Sequence, residues 1–202
     1  EAFRDEKVMV MACNIHIKHS IPGIMRAAQE LDAVVAFELA KTEGNLKGGY
    51  TGQTPQIFWD TIIGYAQQQR FDKPFFIHGD HITVKDLSEE ELESSRELIA
   101  AEVAAGYTSF AIDASFNALT ENIRITRDLA RDISDLRIGL EVEVGEIKSV
   151  GSSAEITSVE EALTFIRALK EADIHPDLLA VNNGSKHGNY LPGEEVHIDL
   201  QR

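Results

Sequence analysis

One cysteine, one tryptophan and five prolines are spread over 202 residues, and basic side chains are outnumbered, 19 Lys and Arg against 34 Asp and Glu. The lone Cys13 cannot form an internal disulfide, so a reducing cytoplasm is the expected compartment. The net charge of -15 argues against nucleic-acid binding as the main task. It leaves room for a phosphorylated substrate, which needs only a local nest of backbone N–H groups. No apolar run approaches the roughly 20 residues of a membrane span, and no basic-then-apolar signal segment opens the chain, so no membrane partner is expected. There is no low-complexity run, long linker or composition break. With 43% hydrophobic residues, 1–202 reads as a single domain with a real core.

What is present is an alternation of strand-like and helix-like segments. Val8 to Cys13 reads as a buried strand ending at Asn14 and His16. Ile21 to Leu31 has helical spacing, with Ser20 as N-cap and Pro22 in the first turn. Asp32 to Leu39 is a second strand, with Glu38 near its end. The Gly-rich stretch Gly48–Pro55 is either a plain connecting loop or a close approach to a ligand. Its Thr54-Pro55 pair starts a helix that runs to about Gln69. Phe75, Phe76 and Ile77 form a short buried run after Pro74. Ser88 to Glu91 reads as a capping box for a helix to Ala105, stopped by Gly106. Thr108–Asp113, Arg137–Gly145 and Leu178–Asn183 read as strands, separated by helices over Asn117–Ile133 and Val159–Lys170. Glu141 and Glu143 share one strand face by the period of two.

This rhythm predicts a parallel α/β domain. Asn14, Glu38, Asp80 with His81, Asp113, Glu143 and His187 fall at or near the C-terminal ends of successive strands. A doubly wound sheet concentrates its site at one switch point. Polar residues after every strand fit a closed (β/α)8 TIM barrel better, with about six of its eight units in this chain. The His78-Gly-Asp-His81 stretch places a carboxylate between imidazoles, which offers a metal ligand beside an acid/base. The plainer alternative is a packed strand-end histidine with a helix-capping Asp.

Several of these stretches, in order and spacing, resemble the class II, metal-dependent fructose-bisphosphate and tagatose-bisphosphate aldolases. They are His78–His81, Gly106–Ser115 followed by Glu121-Asn122, Glu141–Gly145, Thr157–Ala162 and Leu179–Gly188. The resemblance covers the chain from about Pro74 onward. The N-terminal third matches less well, and its Gly48–Pro55 loop is more similar to the non-catalytic partner subunit of tagatose-bisphosphate aldolase.

The resemblance implies a TIM barrel and Zn²⁺ bound by His81 and His187. It makes Asp80 the acid/base at the cleaved carbon–carbon bond, with Glu143 beside the metal and Asp113 as its outer support or alternative position. Ser185 and Gly188 would meet the substrate phosphate through backbone N–H groups, and Asn14 would border the substrate. It also implies a cytoplasmic, homo-oligomeric lyase (dimer or tetramer) of carbohydrate metabolism and glycolysis. Zinc fits this chemistry, because it takes imidazole nitrogens and polarises a ketone as a Lewis acid.

Each residue also has a structural reading: His187 as a loop histidine, Glu143 as a solvent-facing strand residue, Asp113 as a helix N-cap. His16, His19, His175 and His197 fit no pattern and read as ordinary surface or loop histidines. The stretch between Gly145 and Thr157 is shorter than the family's mobile loop. Glu146 and Glu155 are the only acids left there, so the proton-abstracting base has no assignment. The family's third zinc histidine lies on a later strand. About two further β/α units, carrying another histidine near a Gly-rich turn, are therefore expected beyond these residues.

Three functions remain. One is a zinc aldolase cleaving a ketose (bis)phosphate, such as fructose- or tagatose-bisphosphate, to dihydroxyacetone phosphate and an aldehyde. A second is a non-catalytic partner subunit on the same barrel. The third is a metal-dependent sugar or sugar-acid epimerase, which shares the enolate chemistry without breaking the bond.

Overall fold

The structure is a computed structural model, and it describes residues 9–146, 156–186 and 192–193. His187, Gly188, Glu155, His197 and the segment Val196–Arg202 lie outside the described residues, as do the readings attached to them.

Strands and helices alternate as their residue types dictate. The order is β1 (Met11–Asn14), α1 (Ile21–Leu31), β2 (Val35–Ala40), α2 (Pro55–Gln69), β3 (Phe75–Thr83), α3 (Glu89–Ala105), β4 (Ser109–Asp113), α4 (Leu119–Asp135), β5 (Gly139–Val144), α5 (Val159–Glu171) and β6 (Leu178–Val181). One 3-10 turn, Lys18–Ser20, precedes α1. The strands form one six-stranded sheet in chain order, and the β1–β2, β2–β3 and β5–β6 pairs are parallel. Strand–helix–strand repeats with helical crossovers produce this arrangement.

The chain clusters into two compact units, Glu1–His81 with Glu97–Phe110 and Ile82–Arg96 with Ala111–Arg202. The division runs through β3 and β4, so each of these strands contributes to both. In the first unit the fully buried side chains include Phe37, Phe58, Ile62, Leu98 and Phe110. Phe37 meets Phe75 edge-on at 5.9 Å, and Tyr107 stacks on Phe110 at 6.3 Å. Each such aromatic pair adds about 1 kcal/mol beyond its buried area. In the second unit Ile125, Leu129 and Ile133 of α4 fall at helical spacing and are buried, with Leu140, Val142 and Val144 of β5 and Phe165 and Leu169 of α5.

β2 is buried along almost its whole length, as befits a parallel strand covered on both faces. β5 alternates buried aliphatics with half-buried Glu141 and Glu143, the expected period of two. β1 departs from the sequence reading. It is mostly exposed, with Met11 at 63%, because it stands at the end of the strand order and pairs only with β2.

The helix caps follow local chemistry. Ser158 and Glu161 form a reciprocal capping box on α5, and the Thr54 hydroxyl accepts from the Ile57 N–H with Pro55 in the first turn of α2. Ser20 occupies the N-cap position of α1, but its hydroxyl donates to the Ile17 carbonyl and does not cap. At the end of α3, Gly106 takes φ +109, and a Cβ there would come within 2.6 Å of the Trp59 indole nitrogen. Only glycine fits.

Candidate functional site

In the first unit, parallel register sets three polar residues in a row. Asn14 is opposite Glu38, and Glu38 is opposite His78; two residues further along, Ala40 is opposite Asp80. Glu38, His78 and Asp80 each bring a ligand-type atom within 4.8 Å of the others. His78 is buried, and its Nδ1 lies 2.8 Å from the Ser109 hydroxyl. Burial pushes the imidazole down to about 4, so it is neutral at physiological pH. A neutral imidazole between two carboxylates can accept or relay a proton but adds no positive charge.

Period-two alternation would send neighbouring Asp80 and His81 to opposite faces. His81 instead adopts a left-handed φ of +46, which breaks the alternation near the C-terminal end of β3. For a residue other than glycine this conformation is uncommon, and such departures concentrate at functional positions.

Behind β3 sits a second acid that the sequence reading missed. Glu102 of α3 is fully buried against Gly79, where a Cβ would collide with its carboxyl. Its Oε2 has no hydrogen-bond partner among the described residues. Burial first, and then the charge of Asp80, raise its pKa well above the ordinary range. Both effects favour the protonated form of Glu102.

The ends of β1 and β2 carry a further cluster, built around Glu43. This carboxylate accepts from the Ala40 N–H at 2.8 Å, Asn14 Nδ2 at 2.7 Å, His16 Nε2 at 2.7 Å and the Tyr50 hydroxyl at 3.2 Å. Burial raises its pKa, but the Ala40 amide and the Asn14 and His16 side chains outweigh that and hold it below the usual range. The Gly48–Pro55 loop holds this acid in place. The Thr51 N–H and hydroxyl both donate to the Glu43 carbonyl, and Gly49, at φ +55, lies so close that a Cβ would strike that same carbonyl. His16 is therefore no ordinary surface histidine, and Asn14 helps to fix a carboxylate. The signal available in the sequence was an acid three residues past a strand end, with Gly44 next to it and the paired Gly48-Gly49 shortly after. Replacing Gly49 with Ala is expected to cost about 2 kcal/mol or more, from the left-handed backbone alone. Chemical denaturation measures this, and an unchanged midpoint contradicts the loop's role.

In the second unit Asp113 ends β4, fully buried, with Oδ1 accepting from the Ser115 N–H at 2.9 Å. Its carboxylate lies within 4.8 Å of that of Glu143 on β5. Two carboxylates this close repel each other unless a cation or proton intervenes, so the donor set suits a divalent metal. Thr157 ties the adjoining strand ends together: its hydroxyl donates to the Val144 carbonyl and accepts from the Asn182 N–H. Gly145, at φ +86, makes room for that hydroxyl. After β6, Gly184 N–H donates to Asn182 Oδ1, and Ser185 N–H to Asn183 Oδ1 at 3.2 Å. The Ser185 amide is thus already engaged in its own turn. No helix among the described residues is long and apolar enough to cross a membrane.

Comparison with known proteins gives this geometry a context. A fructose-bisphosphate aldolase of Giardia intestinalis is 27% identical over 201 residues, covering 98% of this chain and 55% of its own. The D-tagatose-1,6-bisphosphate aldolase subunit GatZ of Escherichia coli O1:K1 / APEC is 28% identical over 192 residues, 80% of this chain and 45% of that one. The chain thus spans about half the length of these curated relatives. Among solved structures, a putative fructose-1,6-biphosphate aldolase from Coccidioides immitis matches with a TM-score of 0.68 at 22% identity, covering 96% of this chain and 61% of that one. The YdjI aldolase from Escherichia coli K12 matches with a TM-score of 0.66 at 22% identity, covering 94% and 59%. At these identities the solved structures establish the fold alone. The family model described as fructose-bisphosphate aldolase class-II matches residues 1–202, and the chain belongs to that family.

Proposed function

We propose that the protein is a zinc-dependent class II aldolase on an eight-stranded β/α barrel, a single domain that cleaves a ketose bisphosphate to dihydroxyacetone phosphate and an aldehyde. The observation that carries this reading is the family match along the whole chain, with Asp80 and His81 adjacent where β3 breaks its alternation. The exposed Met11 and Leu178 on the two outermost strands suit a barrel with further strands beside them. Fructose- and tagatose-bisphosphate are the substrates to try first, and the enzyme works in the cytoplasm as a homo-oligomer in glycolysis-type carbohydrate metabolism.

His81 and His187 would hold the zinc, with Asp113 and Glu143 as neighbouring carboxylates. Zinc supplies a Lewis acid that draws electron density from the substrate carbonyl. In the cleavage direction Asp80 takes the proton of the substrate hydroxyl as the carbon–carbon bond breaks. Asn14 borders the substrate, and Ser185 and Gly188 contribute to the phosphate end. The test is to incubate the protein with zinc and each bisphosphate and follow triose phosphate. No triose phosphate from either one counts against the reading.

A second reading has its own support. The Gly48–Pro55 loop and the match to a protein named as a subunit suit a chain that works alongside another. Release of triose phosphate only after a second chain is added would favour it. An epimerase would interconvert sugars without releasing triose phosphate, so the same assay separates it.

Metal binding gives a prediction of its own. Protein purified without chelator should carry roughly one zinc per chain. His81→Ala should lose most of it, because one imidazole of the set is gone. Elemental analysis decides, and parental zinc in His81→Ala refutes the assignment.

A further inference from the structure

Basic residues are scarce in this chain, 19 against 34 acids, yet four arginines line one groove. The groove lies between α3 and α4, within the second compact unit, and has a volume of about 490 Å³. Arg96 comes from α3, and Arg124, Arg127 and Arg131 come from α4. Leu92 and Ile123 add apolar surface, and Asp128 is the one acid that lines the groove. None of the strand-end residues described above takes part in it.

Asp128 is already engaged. Arg96 pairs with it and also meets Glu93 at 3.2 Å, so these three groups satisfy one another. Arg124, Arg127 and Arg131 are exposed, and they make no hydrogen bond or ion pair among the described residues. Three and four residues apart, they stand in one row along α4. Like charges at that spacing weaken a helix. Acids of the same helix, Asp132 and Asp135, do not neutralise the row, although the chain as a whole carries a charge of -15.

Such a row suits phosphates. Each guanidinium presents a planar fork that takes two phosphate oxygens at once. With a rise of about 1.5 Å per residue, the step from Arg124 to Arg131 extends over about 10 Å, so negative charge is met along a line. The volume falls in the range of small-molecule sites, and Leu92 and Ile123 can cover an uncharged part of the ligand. A second copy of the chain also offers acids, but two copies repel each other through the -15 on each. A polyphosphate brings several charges in one short chain and needs few other contacts.

We propose that the groove between α3 and α4 binds a small molecule carrying a row of phosphates, at a place separate from the strand-end site. Inorganic polyphosphate and a nucleoside triphosphate share this chemistry. The site goes beyond the aldolase reading and stands without it.

The probe is inorganic tripolyphosphate, titrated calorimetrically into the zinc-loaded protein at low salt, with adenosine triphosphate as a second arm. The parent should bind tripolyphosphate, with an affinity that falls as sodium chloride is raised. Arg124→Gln, Arg127→Gln and Arg131→Gln should each weaken binding about tenfold, and the triple Gln variant should weaken it by about 100-fold or more. Lysine at the same three positions keeps the charge but loses the forks, and its affinity should fall between those of the parent and the triple Gln variant. Gln is a good helix former and the substitutions remove like charges, so the triple Gln variant should melt no lower than the parent. Both proteins share the strand-end metal site, so the difference between them cancels any binding there. Tighter binding of adenosine triphosphate than of tripolyphosphate would support a site that also covers the base, and equal binding would support one for phosphates alone. Parental affinity in the triple Gln variant overturns the proposal, as does sulfate binding the parent equally well at matched ionic strength. A parent that binds no tripolyphosphate overturns it too, and self-association lost in the triple Gln variant would then give the groove to a second copy. None of these results touches the release of triose phosphate, so the aldolase reading is tested apart.

Discussion

Replacing Asp80 with Asn should lower turnover on a ketose bisphosphate by about two to four orders of magnitude, the usual range for a lost acid/base. That corresponds to about 3–5 kcal/mol of transition-state stabilisation. The substitution is nearly isosteric, so the packing of β3 and its pairing with β2 at Ala40 should survive. What it removes is the capacity to accept a proton. Asp80 sits where that capacity can be used, with Glu38 and His78 within 4.8 Å and His81 as the next residue. A structural role would give a different pattern, in which zinc content and thermal stability fall along with activity. The expected Asp80→Asn protein keeps both and loses turnover, as read by triose phosphate release beside elemental analysis and a thermal melt. Near-parental turnover would remove Asp80 from the mechanism.

The regular elements were legible because the forces that shape them are local. The helical stretches read over Asn117–Ile133 and Val159–Lys170 fall within two residues of α4 and α5, and the alternation in Gly139–Val144 marks β5. Acids at strand ends were legible for the same reason, since a short apolar run ending on Asp113 or on Asp80 and His81 is visible in one dimension. Burial of β1 was misjudged because the apolar run Val8–Cys13 carries no record of whether a strand lies on its far side. Glu43 was missed because its significance comes from four donors, two of them, Asn14 and His16, nearly thirty residues away in sequence. Glu102 was missed because a glutamate in a helix reads as solvated until its face is known. Its burial depends on Gly79, a residue on a different element. In both cases a long-range contact decided what the side chain does.

His78 and Glu102 should impose opposite pH dependences on stability, and their signs follow from which form each buries. His78 has a folded pKa of about 4 against 6.5 for the free side chain, so the folded state binds fewer protons than the unfolded chain in that interval. The stability it contributes is present above about pH 6.5 and is lost as pH falls through 4. The gap of about 2.5 pH units is worth about 3 kcal/mol, a large share of a domain's total. Glu102 is shifted upward by burial and by Asp80, so its contribution is complete below the ordinary carboxylate range and disappears as pH rises through its folded value. Gln at either position keeps a polar side chain and abolishes titration. Relative to the parent, His78→Gln should gain about 3 kcal/mol between pH 6.5 and pH 4. Glu102→Gln should gain instead as pH rises above the ordinary carboxylate range. Urea unfolding across these pH intervals reads both differences, and subtracting the parent curve cancels the titration of every other carboxylate. A difference that stays flat with pH for His78→Gln would mean that its imidazole is not desolvated. One that is flat for Glu102→Gln would mean that its carboxyl reaches water, and with it that the packing of α3 against Gly79 is looser than the structure has it.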